Sequence, residues 1–532
     1  MNWKSAAILA IATLTFVGCG SGNFSKKQSA GEADTLRYPI PNNPTSLDYA
    51  LVQDGDTLDM LQQVYEGLVG WGPDNEVVGL LAESWEVSED GLTYTFKLRD
   101  GVRFHNGREV TAEDVKWSIE RACQPAMASQ TADAYLSDVV GLTDMVEGRA
   151  TSVSGIKVID EDTISITLKQ KTPYFLGRLT YLVSAVVAKE AVPATSAITK
   201  KEEMVGTGPF KVERYDDKQL VVLVANDDYW GGAPKLKRIE RPVILNAATR
   251  LDKFVNGELD VVQIQRADLK AVLDKPDLKD KVKYFPRPAI WYVGMNQSEY
   301  APFKDRRVRQ AFAMSIDRDR IVGELMGGVN TPAYTIVPPG VIGHREKGAG
   351  LPFDPEGAKK LLAEAGYPNG KGLPALEMTH REGYPDIKLV AEAVAGQIKK
   401  NLGVEVRVQP MEWAKYLEVY NAKKQVFFHM RWAADYLDPQ NFLSHMLATW
   451  GPENKIGYSN PQFDALCRQA DTMMDMDARI PLYQKAEDIL LQDAVWVPIY
   501  FQRDIELHRP GVQDMRESLF GHLPHTTTRL VQ

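Results

Sequence analysis

The sequence predicts an α/β fold of more than one unit, on three observations. Segments with the two-residue period of strands alternate with segments of helical period along the chain, which argues for mainly open sheets flanked by helices. The run Gln219–Ala225 is continuously apolar after its first residue, the pattern of a strand covered on both faces. The chain has 532 residues, too many for one core, and at roughly 100–200 residues per domain about three or four units are expected.

The elements follow in chain order. Ala6 to Val17 is an apolar stretch behind Lys4, too short to span a bilayer comfortably, and it ends in Phe16-Val17-Gly18-Cys19. Residues 20–34 are polar and small, and should form a flexible tether rather than a core. Tyr94, Phe96 and Leu98 alternate with Thr95, Lys97 and Arg99, the pattern of a half-buried strand. Asp100-Gly101 is a hairpin signal, and Val102 and Phe104 resume the alternation beyond it. Thr111 with Glu113 and Asp114 reads as a helix start, and Val115, Ile119 and Ala122 fall on one helical face.

Ile156–Ile159 and Thr163–Lys169 read as paired strands around Asp160-Glu-Asp162. A helix from Asp305 runs to about Ser315, and Asp317 caps a second that Gly327-Gly328 ends. Asp354-Pro355 opens another, cap then proline, closed by Ala365–Pro368. Ile387 to Asn401 is helical and leads into the strand of Val404, Val406 and Val408. Asn460-Pro461 starts a helix through Asp471, and Val495–Phe501 is a late strand.

Several stretches carry a family resemblance in their letters. The run Leu80–Arg121, LLAESWEVSEDGLTYTFKLRDGVRFHNGREVTAEDVKWSIER, closely resembles the signature of the family 5 extracellular solute-binding proteins, the peptide, nickel and opine receptors of ABC importers. Asn42–Asp48, Val205–Phe210, Asn226–Gly232, Tyr292–Asn296 and Pro302–Arg309 resemble further landmarks, and Gln63–Leu68 resembles the family's first helix. The resemblance implies a two-lobed, Venus-flytrap fold with an extra domain. It assigns residues 35–70, 205–285 and 500–532 to lobe I, 71–204 to the extra domain and 286–499 to lobe II. It implies a monomer that closes on its ligand and hands it to a membrane permease and its ATPase. The Phe16–Cys19 ending resembles a lipobox, which makes residues 1–19 a lipoprotein signal peptide and Cys19 the lipidated residue. The protein would then sit in the cell envelope, periplasmic or otherwise extracytoplasmic.

The resemblance also proposes a site. His429–Phe442 (HMRWAADYLDPQNF) is similar to the oligopeptide-binding Gly-Trp-x-x-Asp stretch, with Arg431 where glycine is usual. That position makes Asp435 the partner of a peptide's N-terminal ammonium, a group too costly to bury unpaired. Trp432 and Trp413 match positions that line side-chain pockets, where indole gives area without demanding one shape. Arg381, Arg431 and His429 are the candidates for a ligand carboxylate. The peptide backbone would be held as an added strand.

Other classes fare worse on the residues. A net charge of −9 argues against nucleic acid and anionic membrane surfaces as partners. No HExxH, GxSxG, P-loop or Cys–His signature supports an enzyme. No cofactor is expected. His429, Asp435, Asp438 and His445 fit no tight metal-ligand spacing, so no metal is expected either. A non-peptide solute (opine, metal chelate or oligosaccharide) and a peptide-sensing or chaperone receptor stay open. Pairing of Cys123 with Cys467 stays open too.

Overall fold

A computed structural model describes residues 34–531. The expected leader, lipobox cysteine and nearly all of the tether therefore lie outside the described residues. Among those described, no helix is long and apolar enough to cross a membrane.

Three main sheets organise the chain. The first runs Thr35–Arg37, Arg238–Pro242, Leu220–Ala225, Phe210–Asp216, with the first pair parallel and the rest antiparallel. Val221, Val222 and Leu223 are consecutive and all buried, so both faces of that strand are covered, as its unbroken apolar run predicts. The second sheet is antiparallel in the order Ala82–Val87, Thr93–Leu98, Thr163–Thr167, Ile156–Val158. The helix Ala112–Ala122 packs beside it, burying Val115, Ile119 and Ala122. The Asp114 carboxylate accepts from both the Thr111 backbone N–H and its hydroxyl at 3.0 Å, fixing the helix start.

Two local expectations change. Gly101 turns the chain with φ 71°, yet no hairpin forms over Asp100-Gly101. Thr93–Leu98 already pairs with Ala82–Val87 on one side and Thr163–Thr167 on the other, so neither edge is free. Val102 and Phe104 keep their alternation as buried side chains in a turn-rich loop. The first helix is Gly55–Leu61, capped by Asp54, and not Gln63–Leu68. Gln63 and Val64 instead lie in the turn that follows it, where their carbonyls accept from the Phe210 and Gly208 N–H groups at 2.9 and 3.0 Å. The glycines of Gly206-Thr-Gly208 permit this approach: a Cβ at either would come within 2.5 Å of the Gln63 or Val64 carbonyl oxygen.

The third sheet has seven strands, in the order Val261–Gln263, Trp496–His508, Val282–Met295, Phe427–Ala433, Leu376–Arg381, Val406–Met411, with Thr331-Pro332 beside Trp496–His508. Leu376–Arg381 and Val406–Met411 are parallel and joined by the helix Pro385–Leu402, a βαβ unit. The two long strands, Val282–Met295 and Trp496–His508, run antiparallel through the whole sheet. Their register shifts twice, by one residue where Trp291 faces Tyr500 and Tyr292 faces Pro498, and more widely near the middle: Pro286 faces Arg503 and Ile290 faces Phe501, so at this larger break three residues on one strand oppose Gln502 alone.

Apolar side chains gather in two bodies either side of this break. Residues between Leu36 and Val261 share one contiguous core, which includes the second sheet, with a small satellite around Phe254, Leu269 and Ile505. Residues between Ile290 and Phe501 form two further clusters. Cys123 and Cys467 are buried free thiols in different bodies and do not pair.

Candidate functional site

A cleft of about 630 Å³ opens between the two bodies, with the register break in its floor. Tyr38, Asp59, Tyr135 and Tyr181 line one wall, Arg431 and Asp435 the other, and Arg287 and Gln502 the floor.

Asp435 follows the strand Phe427–Ala433, which is anchored to the floor by Ala434 N–H donating to the Pro288 carbonyl at 2.8 Å. Fully buried Asn441 fixes the Asp435 position. Its amide oxygen accepts from the Asp435 backbone N–H at 3.1 Å and from the Trp432 indole N–H at 3.0 Å, and its amide nitrogen donates to the carboxylate at 3.2 Å. From the opposite wall the Tyr135 hydroxyl faces the carboxylate, with the Tyr135 ring stacked on Tyr181 at 3.8 Å. Burial raises the Asp435 pKa above the usual carboxylate range, against the opposing pull of Asn441, Tyr135 and the more distant Arg178. None of the described ion pairs includes Asp435; Arg178 is committed to Asp138 at 2.5 Å. The site thus holds a desolvated anion that lacks a cation.

Arg431 complements it. Its side chain is exposed to the cleft and donates to the Gln502 amide oxygen at 3.1 Å, which also accepts from Trp291. No described ion pair includes Arg431. Its neighbours are already committed: Arg287 to Asp504 at 2.5 Å, and Arg241 to Asp59 at 2.8 Å.

The other expected residues lie elsewhere. Trp432 alternates with Arg431 along its strand, so it points to the opposite face and touches the site through Asn441. Arg381 and Trp413 come together outside the cleft lining, where the guanidinium lies 4.4 Å from the Trp413 ring and 4.3 Å from that of Tyr384. The expectation of a cationic His429 fails. That side chain is 1% exposed, lies 5.1 Å from the Trp291 ring, and is desolvated to a pKa of about 3, so it is neutral at pH 7. The weighed cluster of His429, Asp435, Asp438 and His445 is not assembled. Asp438 instead caps the turn Pro439–Asn441 and accepts two bonds from buried Arg479 at 2.6 and 2.7 Å, while His445 lies against Trp432.

Tyr135, Asn441, Arg287 and Gln502 escape sequence reasoning. Tyr135 lies three hundred residues from Asp435, and only the closed tertiary path joins them. Asn441 carries a readable signal, an amide six residues after the aspartate behind Asp438-Pro439.

The geometry has parallels among known proteins. Residues 76–454 match the model for bacterial extracellular solute-binding proteins, family 5. Among curated proteins, heme-binding protein A of Haemophilus influenzae is 30% identical, with 98% of each chain covered. The oligopeptide-binding protein OppA of Bacillus subtilis is 31% identical, with 94% of each covered. Among solved structures, the murein tripeptide binding protein MppA of Escherichia coli superposes with a TM-score of 0.78 at 27% identity, covering 94% of this chain and 99% of that one. The two-lobed α/β fold of periplasmic binding proteins is therefore the fold of this chain.

Proposed function

Because the chain belongs to family 5 of the bacterial extracellular solute-binding proteins, we propose that it captures short peptides in the cleft and delivers them to the permease and ATPase of an ABC importer. The observation that carries this reading is the pair of unspent charges, Asp435 without a cation and Arg431 without a carboxylate, in one desolvated cleft. Their backbones are four residues apart, so at most about 14 Å separates them. A peptide of a few residues, with its ammonium at Asp435 and its carboxylate or backbone carbonyls at Arg431, supplies what both lack. Relatives named for oligopeptides and a murein tripeptide favour the same class.

Closure rests on the two strands that cross between the lobes. Three residues, Arg287 to Ala289, facing Gln502 alone make the point of lowest ladder continuity, and we place the hinge there. The lobe boundaries expected from the sequence, near residues 285 and 500, fall beside it. Tyr135, stacked on Tyr181, already meets Asp435 from the opposite wall, and contacts of this kind, lost when the lobes part, would favour the closed state. The role is binding rather than catalysis, and it is exercised by a monomer outside the cytoplasm. The tether would hang the protein from a lipid on Cys19; a Cys19→Ala protein should leave the membrane fraction, and unchanged membrane association would count against the anchor.

A second reading has one specific support, the relative named for heme, 30% identical over 98% of both chains. A flat tetrapyrrole would use the tyrosine wall and have no need of an ammonium site. Calorimetry decides between them: ligand-stripped protein should bind a pool of short peptides and ignore hemin, and the reverse result refutes the peptide reading.

A further inference from the structure

The first-lobe wall of the cleft carries a constellation that peptide capture does not use. Glu506 and His508 are two apart on the strand Trp496–His508 and share one face. The chain then leaves the sheet and returns through the short hairpin Glu517–Ser518 with Gly521-His522, which carries His522 back over that face. The Glu506 carboxylate lies 2.8 Å from His508 Nε2 and 3.0 Å from His522 Nε2. One donor atom from each of the three lies within 4.8 Å of the others. The side chains are 4%, 9% and 5% exposed. Glu517 stands opposite His522 in the hairpin, outside the trio but within electrostatic reach of it; among the described residues no hydrogen bond or ion pair uses its carboxylate.

The surroundings orient this group. Tyr38 Oη is 2.6 Å from His522 Nδ1 and 2.6 Å from the Asp59 carboxylate. A phenol has one proton; donated to Asp59, it leaves Tyr38 the acceptor of the His522 Nδ1–H. Nε2 is then the nitrogen turned toward Glu506. A ligating histidine is held this way, its far N–H donated to a group that fixes ring and tautomer.

We propose that Glu506, His508 and His522, with Glu517 as fourth donor, form a binding site for a divalent transition-metal ion of the zinc class. Imidazole with carboxylate selects such ions over magnesium or calcium, which prefer all-oxygen shells. Two neutral imidazoles and two carboxylates balance the charge of the ion. The nearby cations do not oppose it, since Arg287 is neutralised by Asp504 and Arg241 by Asp59. The ion would clasp the C-terminal segment to the strand that continues into the hinge, and Glu506 and His522 would hold it in the cleft wall.

The test uses the protein without an affinity tag, stripped with chelator and dialysed against micromolar Zn²⁺ or Mg²⁺. One Zn²⁺ per chain and no Mg²⁺ is expected, and the His508→Gln/His522→Gln double variant should bind Zn²⁺ about a hundred-fold more weakly. Equal Zn²⁺ on wild type and double variant, or none on wild type, overturns the proposal. Should the double variant not fold, Cu²⁺ electron paramagnetic resonance on the wild type decides: superhyperfine coupling to two imidazole nitrogens supports the site, and its absence overturns it.

Discussion

Replacing Asp435 with alanine removes a cleft-wall carboxylate that burial has pushed up and that no described ion pair neutralises. Truncating one partner of a buried, hydrogen-bonded charge pair costs about 2–5 kcal/mol. At about 1.4 kcal/mol per tenfold, affinity for peptides with a free N-terminus should fall by roughly 30-fold to several thousand-fold. The same loss should appear on wild-type protein when the ammonium is removed by N-acetylation, and the two changes should not add, because both break one pair. The sign with pH follows. An ammonium favours the ionised carboxylate, so binding of free-amine peptides should weaken as pH falls through the raised pKa of Asp435, while acetylated peptides show no such dependence. Titration calorimetry with matched free and acetylated pools, at two pH values, measures all three. Equal affinity of the two pools for wild type refutes the amine role outright.

Three further outcomes follow from the geometry. Trp432→Phe keeps the ring and loses the N–H bond to Asn441; with the fold intact, calorimetry should show a loss of about 1 kcal/mol, and no loss would make Trp432 plain core. Asp48→Ala strands fully buried Arg121, which donates to that carboxylate at 3.1 and 2.6 Å, so urea unfolding should report about 3–5 kcal/mol of destabilisation. Asp471, raised to about 6 by burial between Ser444 and Tyr483, gives stability that is present below the ordinary carboxylate pKa and lost as pH rises through about 6. Asp471→Asn should therefore gain about 2–3 kcal/mol on wild type between pH 4 and pH 8, read from denaturant midpoints.

Much of the fold was legible because local rules and tertiary context agree. Asp305, Asp354 and Asn460 cap the helices their positions announce, each side chain accepting from a first-turn N–H. The failures are where tertiary pairing decides. The hairpin at Asp100-Gly101 needed a free strand edge, and Thr93–Leu98 has none. In the site, Asp435 and Arg431 could be named from their own segment. The burial that neutralises His429 depends on Trp291, from a strand well over a hundred residues away. Glu506 and His508 show the strand spacing of a shared face, but the third donor arrives only through the hairpin at Gly521.

The central claim is that two unspent charges in the cleft select a peptide. Native mass spectrometry of protein purified without denaturation, followed by release and sequencing of whatever it carries, tests this most directly. Short peptides with free N-termini, absent from an Asp435→Ala preparation, are the predicted cargo. A sugar, a chelate or a tetrapyrrole in their place, or peptides carried equally by the variant, would contradict it.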